Sequence, residues 1–266
     1  MSVTRKDVAK MAALAGGQAA LATIPTDGVV IKEGRGNFVT KGDLASEKAI
    51  ISLIRKHFPS DEILSEETES QLKDLLTVEH LWVIDPIDGT NNYRNGRNYS
   101  AVSVAYVESG QIVDAAAYDP FRKELFTAHR GGGAFLNGRA IKIGEQKDIH
   151  KAVVATDNSY DPDGTRHNLQ IVLAIDPTPW VLVKGSAVLT ICEVACGRTD
   201  LYFHTALKPW DNAAAMLIAE EAGAIVTDLK GNKIAFTSPE IVVGNPELVK
   251  EFARSVAPLL TKNSGE

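Results

Sequence analysis

The chain has 266 residues, 44% of them hydrophobic and 23% charged, the proportions of a globular protein with room for a substantial core. Its 28 basic and 34 acidic side chains leave a net charge of −6 with no basic block or stripe, which argues against a nucleic-acid polymer as partner. No apolar run reaches membrane-spanning length, Met1 to Lys10 is too polar for a secretion signal, and a cytoplasmic location is the expectation.

Helical apolar spacing runs from Asp7 to about Ala22, weakened at Gly16-Gly17. Val29-Val30-Ile31 reads as a short strand leading into the polar loop 32–37. Asp43 is placed as an N-cap for a helix reaching about Phe58, and fits a metal neighbour equally well. Glu62 to Ser65 reads as a strand ending in Glu66-Glu67, followed by a short helix over Gln71 to Leu76. The apolar run Leu81 to Ile84 then delivers Asp85 and Asp88 into a turn shaped by Pro86 and Gly89.

Three strands follow, Ala101 to Val107, Gln111 to Tyr118 and Glu124 to Ala128, the first two joined by a hairpin at Glu108-Ser109-Gly110. Gly131-Gly132-Gly133 reads as turn chemistry, and residues 135–139 as a second hairpin tip. The polar stretch Gly144 to Lys151 marks the expected seam between an N-terminal unit, 1–145, and a C-terminal unit, 146–266. Beyond it come strands over 152–156, 181–183, 201–203, 224–227 and 241–243, and helices over 166–174, 187–196, 212–222 and 247–260. Cys192 and Cys196, at i, i+4 in one helix, read as buried thiols. The first half looks antiparallel and the second alternating, within an α/β or α+β class.

Three acidic sites share one form, a strand or tight turn ending in carboxylate: Glu66-Glu67, Asp85 with Asp88, and Asp211 after Pro209-Trp210. Two carboxylates cannot stay dry and unpaired at the end of an apolar strand, because burying a bare carboxylate costs several kcal/mol. Each site alone fits a cap or a solvated turn. Together they supply oxygens for two or three Mg²⁺ ions, with a backbone carbonyl such as that of Ile87. Such clusters suit in-line displacement at phosphorus. Gly89-Thr90 offers backbone N–H groups to an anion, and the Thr90 hydroxyl and Glu66 could orient a water.

The motif Asp85-Pro-Ile-Asp-Gly-Thr90, with Ser65-Glu-Glu upstream and Trp210-Asp-Asn-Ala-Ala-Ala-Met downstream, resembles the inositol monophosphatase family of Mg-dependent, lithium-sensitive phosphatases. The resemblance runs from about Lys32 to Gly231. It implies a layered αβαβα sandwich of the inositol monophosphatase and fructose-1,6-bisphosphatase type, a homodimer, and Mg²⁺-dependent hydrolysis of a phosphomonoester. Glu66, Asp85 and the Ile87 carbonyl would hold one ion, Asp85, Asp88 and Asp211 a second, and Glu66 a third through water. Glu66, Thr90 and Asp85 would be catalytic. Asp88, Gly89 and Thr90 would meet the phosphate, and Gly185, Ser186, Ala187 and His204 the alcohol portion. Asp43 and Glu67 would support the ligands from behind.

The pattern departs at His204, where the family usually places a ring-binding Glu before the last metal Asp, and at Ser65 in place of Gly. Arg94, Arg97 and Lys208 add positive charge near the motifs. These departures leave a larger or more anionic substrate open; the resemblance implies inositol-1-phosphate as the default, with histidinol phosphate, fructose-1,6-bisphosphate, a nucleotide 3′-phosphate and NADP as alternatives. A non-catalytic metal- and sugar-phosphate-binding protein is the competing class.

Overall fold

A computed structural model describes residues 3–24, 30–31, 38–68, 73–175, 177 and 179–262. Two sheets organise it, and the alternation of side chains along one strand shows how. Leu81 and Val83 point to one face of the strand His80–Asp88, Trp82 and Ile84 to the other, and all four are buried. A strand buried on both faces reads as a continuous apolar run, which is why it stood out in the sequence.

In chain order the first layers are α1 (Arg5–Leu21), β1 (Val30–Ile31), β2 (Phe38–Val39), α2 (Lys41–His57), β3 (Glu62–Ser65), β4 (His80–Asp88) and α3 (Thr90–Arg94). Next come β5 (Ala101–Glu108), β6 (Gln111–Asp119), β7 (Glu124–His129), β8 (Ala134–Leu136) and β9 (Arg139–Ala140). Strands β3 to β9 form a seven-stranded sheet in sequence order, antiparallel except for the parallel pair β3 and β4. The ladder of β4 on β5 is regular to Asp85 and resumes at Asp88 after an irregularity. That interruption lies over Pro86, which has no N–H to donate.

The second sheet holds β10 (Val153–Thr156), β11 (Trp180–Val183), β12 (Leu201–His204), β13 (Ile225–Thr227) and β14 (Ile241–Gly244), in the order β11-β10-β12-β14-β13. Strands β10, β11 and β12 are mutually parallel, so the carboxyl ends of all three face the same edge. Its helices are α4 (Pro162–Ala174), α5 (Ala187–Ala195), α6 (Pro209–Glu221) and α7 (Pro246–Lys262).

Three apolar clusters separate five layers. Val8, Ala12, Ile50 and Ile54 of α1 and α2 pack on Trp82, Ile84 and Val104 of the first sheet. The opposite face of that sheet meets α5 and α6, which also receive Tyr202, Ile241 and Val243 of the second sheet. Ile171 and Val172 of α4, with Leu248 and Phe252 of α7, cover the outer face of the second sheet. The result is the αβαβα sandwich expected from the sequence. Every residue of α5 is buried, as befits a helix between two sheets.

Several local expectations shift. Residues 71 and 72 lie outside the described residues, as does the loop 32–37, and 73–76 form turns rather than a helix. There the Asp74 side chain accepts the Leu76 N–H at 3.2 Å, a local bond that competes with helix formation. Asp43 is not the N-cap of α2. Thr40 caps it, and Asp43 closes the box from the third helical position by accepting the Thr40 N–H at 2.7 Å. Asp211 likewise lies inside α6, accepting the Lys208 N–H at 2.7 Å. The glycines 131 and 133 donate their N–H groups to the Glu221 carboxylate, both at 2.8 Å, so the triple glycine serves a turn. Both cysteines are free, Cys192 buried and Cys196 half-buried at the end of α5.

Candidate active site

The acidic end of β4 opens into a cleft of about 880 Å³ between the carboxyl edge of the second sheet and the β4–α3 turn. Asp85, Asp88 and Asp211 lie along it, with carboxylate oxygens within 4.8 Å of one another. Asp85 and Asp88 come from β4 and Asp211 from the first turn of α6. Glu66, Glu67, the Ile87 backbone, Gly89 and Thr90 line the same cleft. The structure thus gathers the acids that the sequence presents in three separate segments.

Each carboxylate is aimed by a local device. Asp85 Oδ1 accepts the Ile87 N–H at 3.0 Å, a local bond that folds the chain around Pro86. Asp88 Oδ2 accepts the Val188 N–H at 3.0 Å and the Ser186 hydroxyl, so the first turn of α5 holds it. Ser186 Oγ also accepts the Leu189 N–H at 3.3 Å as the N-cap of that helix. The sequence assigns Ser186 to the substrate; its hydroxyl is instead engaged with Asp88. Gly185 and Ala187 remain on the cleft wall.

Burial pushes Asp85 well above the usual carboxylate range, and the charges of Glu66, Asp88 and Asp211 push it further. Burial raises Asp211 in the same way, reinforced by Asp88. Asp88 is pushed up to about 7 by burial, against the opposing hydrogen bond from Ser186. Dry carboxylates that repel one another favour neutralisation by protons or by a cation. An all-oxygen donor set of this charge fits a hard divalent ion such as Mg²⁺.

Thr90 sits behind this group. Its hydroxyl donates toward Asp43 Oδ1 at 3.1 Å and the Ile87 carbonyl at 2.9 Å. With its proton committed there, the oxygen keeps lone pairs to accept from a water in the cleft. Asp43 is fixed in turn by Thr40, whose hydroxyl donates to Oδ2 at 2.6 Å. Ser65, the residue that departs from the family's Gly, hydrogen-bonds the buried Glu47.

His204 has a different setting from the one expected of a substrate contact. It lines the cleft but is only 2% exposed. Its Nδ1 accepts the Ala206 N–H at 3.1 Å, and the Asn158 backbone takes part in a second bond. Burial lowers its pKa to about 4, so the imidazole is neutral near pH 7. Of the three cations noted in the sequence, Arg97 and Lys208 line the cleft, while Arg94 stacks 4.0 Å over the Phe38 ring. The sequence reading missed Asp157, Asn158 and Tyr160, which follow β10 and line the same cleft. It also missed Asn92, whose amide donates to the carbonyls of Tyr99, Lys184 and Gly185.

A family model described as the inositol monophosphatase family matches residues 4–261. The chain is 40% identical over 204 residues to the Xylella fastidiosa protein named Nus factor SuhB, covering 76% of this chain and 73% of the relative. It is 34% identical over 236 residues to Inositol monophosphatase 1 of Solanum lycopersicum, covering 85% of each. The solved structure of an inositol monophosphatase from Anabaena (Nostoc) superposes with a TM-score of 0.84 at 32% identity, covering 95% of both chains.

Proposed function

Because the chain belongs to the inositol monophosphatase family, a membership that supports a phosphatase, we propose that it is a Mg²⁺-dependent phosphomonoesterase acting on a small phosphorylated metabolite, inositol-1-phosphate first. One observation carries this reading: the buried carboxylates of Asp85 and Asp88 on β4 and the half-buried carboxylate of Asp211 on α6 converge within 4.8 Å beside a cleft of metabolite size. Glu66, Asp85 and the Ile87 carbonyl would hold one ion, Asp85, Asp88 and Asp211 a second, and Glu66 a third through water. Bound there, the ions would supply positive charge for the phosphoryl oxygens and a more acidic water. The chain's own residues do the placing. Thr90, its proton held by Asp43 and Ile87, accepts a hydrogen bond from the attacking water, and Glu66 orients it from the other side. The backbone of Gly89 and Thr90 faces the phosphate, and Arg97 and Lys208 add attraction for its charge.

We assign residues 1–145 most of the ion ligands, and residues 146–266 Asp211 with the contacts to the alcohol portion. A homodimer belongs to the same proposal. The outer strand β11 leaves Trp180 72% exposed, and the neighbouring helix α4 leaves Leu173 73% exposed, apolar area suited to a second copy.

Phosphate release in Mg²⁺ from inositol-1-phosphate, histidinol phosphate, fructose-1,6-bisphosphate, a nucleotide 3′-phosphate and NADP tests the reading. Release from at least one, abolished by chelation, is the expected result. The name Nus factor on a 40% identical relative keeps a second reading in view, a protein acting without catalysis. Mg²⁺ binding with no release from any panel member would favour it.

A further inference from the structure

We infer that Asp157 is a positioning residue for the ion site: it sets Asp88 by holding the turn that carries Asp88's own donors. This rests on the metal-dependent reading above and concerns a residue outside the ligand set proposed there.

Asp157 follows the last residue of β10, and Lys184 follows the last residue of the parallel neighbour β11, so both emerge at the same edge of the sheet. Asp157 Oδ1 accepts the N–H groups of Lys184 and Gly185 at 3.0 and 2.5 Å. Its Oδ2 accepts the Tyr202 hydroxyl of β12 at 3.3 Å. Both oxygens are therefore engaged by the protein, unlike those of a residue aimed at an ion. Its backbone is fixed as well, because the Asn168 amide of α4 donates to the Asp157 carbonyl at 3.0 Å. One buried carboxylate thus ties the ends of β10 and β11 to the body of the parallel strand β12.

What it ties down is the segment that touches the cluster. The Lys184-Gly185 turn is gripped from the other side by Asn92, whose amide donates to both carbonyls at 2.7 and 3.1 Å. Gly185 has a φ of +79°, and a Cβ there would lie 3.0 Å from the Asn92 amide nitrogen, leaving no slack. The next residues deliver the Ser186 hydroxyl and the Val188 N–H to Asp88 Oδ2. The turn also abuts Gly89, whose Cβ, if present, would lie 2.8 Å from the Gly185 carbonyl oxygen. Without the Asp157 carboxylate, two turn N–H groups lose their acceptor, and the donors that aim Asp88 are free to drift. Groups that orient a metal ligand from behind typically change metal affinity by roughly 10- to 100-fold when removed.

The test is Mg²⁺ titration of the full chain by calorimetry, with thermal melting and steady-state kinetics on the same samples. Asp157→Ala is expected to weaken Mg²⁺ binding roughly 10- to 100-fold and to lower kcat more than it raises KM. Asp157→Asn retains an oxygen for the two N–H groups and is expected to stay within about threefold of wild type. Gly185→Ala disturbs the same turn from the Asn92 side and should reproduce the alanine phenotype, which covers the case that Asp157→Ala does not fold. Loss of affinity in Asp157→Asn equal to that in Asp157→Ala would overturn the inference by making the charge itself a ligand. A lowered melting temperature with unchanged Mg²⁺ affinity in Asp157→Ala and Gly185→Ala would overturn it by making the role structural only. Failure of the wild type to bind Mg²⁺ would instead remove the functional reading on which it rests.

Discussion

The two halves of β4 are both buried yet opposite in chemistry. From Leu81 to Ile84 the strand buries four large apolar side chains, two on each sheet face, and each stabilises the fold by about 1.5 to 3 kcal/mol. From Asp85 to Asp88 the same strand buries two carboxylates, which burial drives up from their ordinary range, with repulsion from neighbouring acids adding to it. The first half anchors the second. A rigid strand lets the protein hold like charges close together, an arrangement that would otherwise relax apart.

That contrast can be broken from either end. The largest effect is expected at the acidic end, where Asp88→Asn should lower turnover more than tenfold in steady-state phosphate release while the protein keeps its circular dichroism spectrum. Activity above a tenth of wild type would remove Asp88 from the ion site. At the apolar end, Trp82→Ala should cost about 3 to 5 kcal/mol of stability in urea unfolding. Trp82 is fully buried and its indole N–H donates to Asp61 at 2.9 Å, so truncation also strips a partner from an acid that pairs with Arg5. A cost under about 1 kcal/mol would show that the anchoring half is not what holds β4 in place.

A smaller effect belongs to His204, at the end of a strand of the second sheet. Its folded pKa of about 4 lies below the ordinary 6.5, so at intermediate pH the unfolded chain binds a proton that the folded chain does not. Stability from this group is complete above the unfolded value and falls as pH drops toward the folded one. Between pH 7 and pH 5 the loss should be about 2 kcal/mol, read as the difference in pH dependence between wild type and His204→Gln. Equal slopes for the two proteins would mean that the imidazole is accessible to solvent and to substrate.

Much of β4 and its acids was legible in the sequence because the information is local. An apolar run, a proline, a glycine and carboxylates at fixed spacing lie within residues 81–90, and Pro209-Trp210-Asp211 is equally compact. The layered fold followed from the family those motifs resemble. What stayed hidden depends on long-range register. Asp157 gains its partners only because β10, β11 and β12 run parallel and end at one edge. The inward turn of His204 depends on Ala206 and Asn158, one of them brought in by that same sheet edge. Thr40 does not stand out as a cap in the sequence because the usual signature pairs the capping residue with Glu or Gln, and here Asp43 takes that place.

Thermal melting of the metal-free wild type and Asp88→Asn, each with and without Mg²⁺, tests the central claim that the acidic end of β4 is built for cations. The account predicts that Mg²⁺ raises the wild-type melting temperature, by the equivalent of about 2.7 kcal/mol at a hundred times its dissociation constant. It also predicts that Asp88→Asn, relieved of one buried charge, melts no lower than the metal-free wild type and gains little from Mg²⁺. A wild type indifferent to Mg²⁺, or a variant that melts lower yet responds in full, would contradict it.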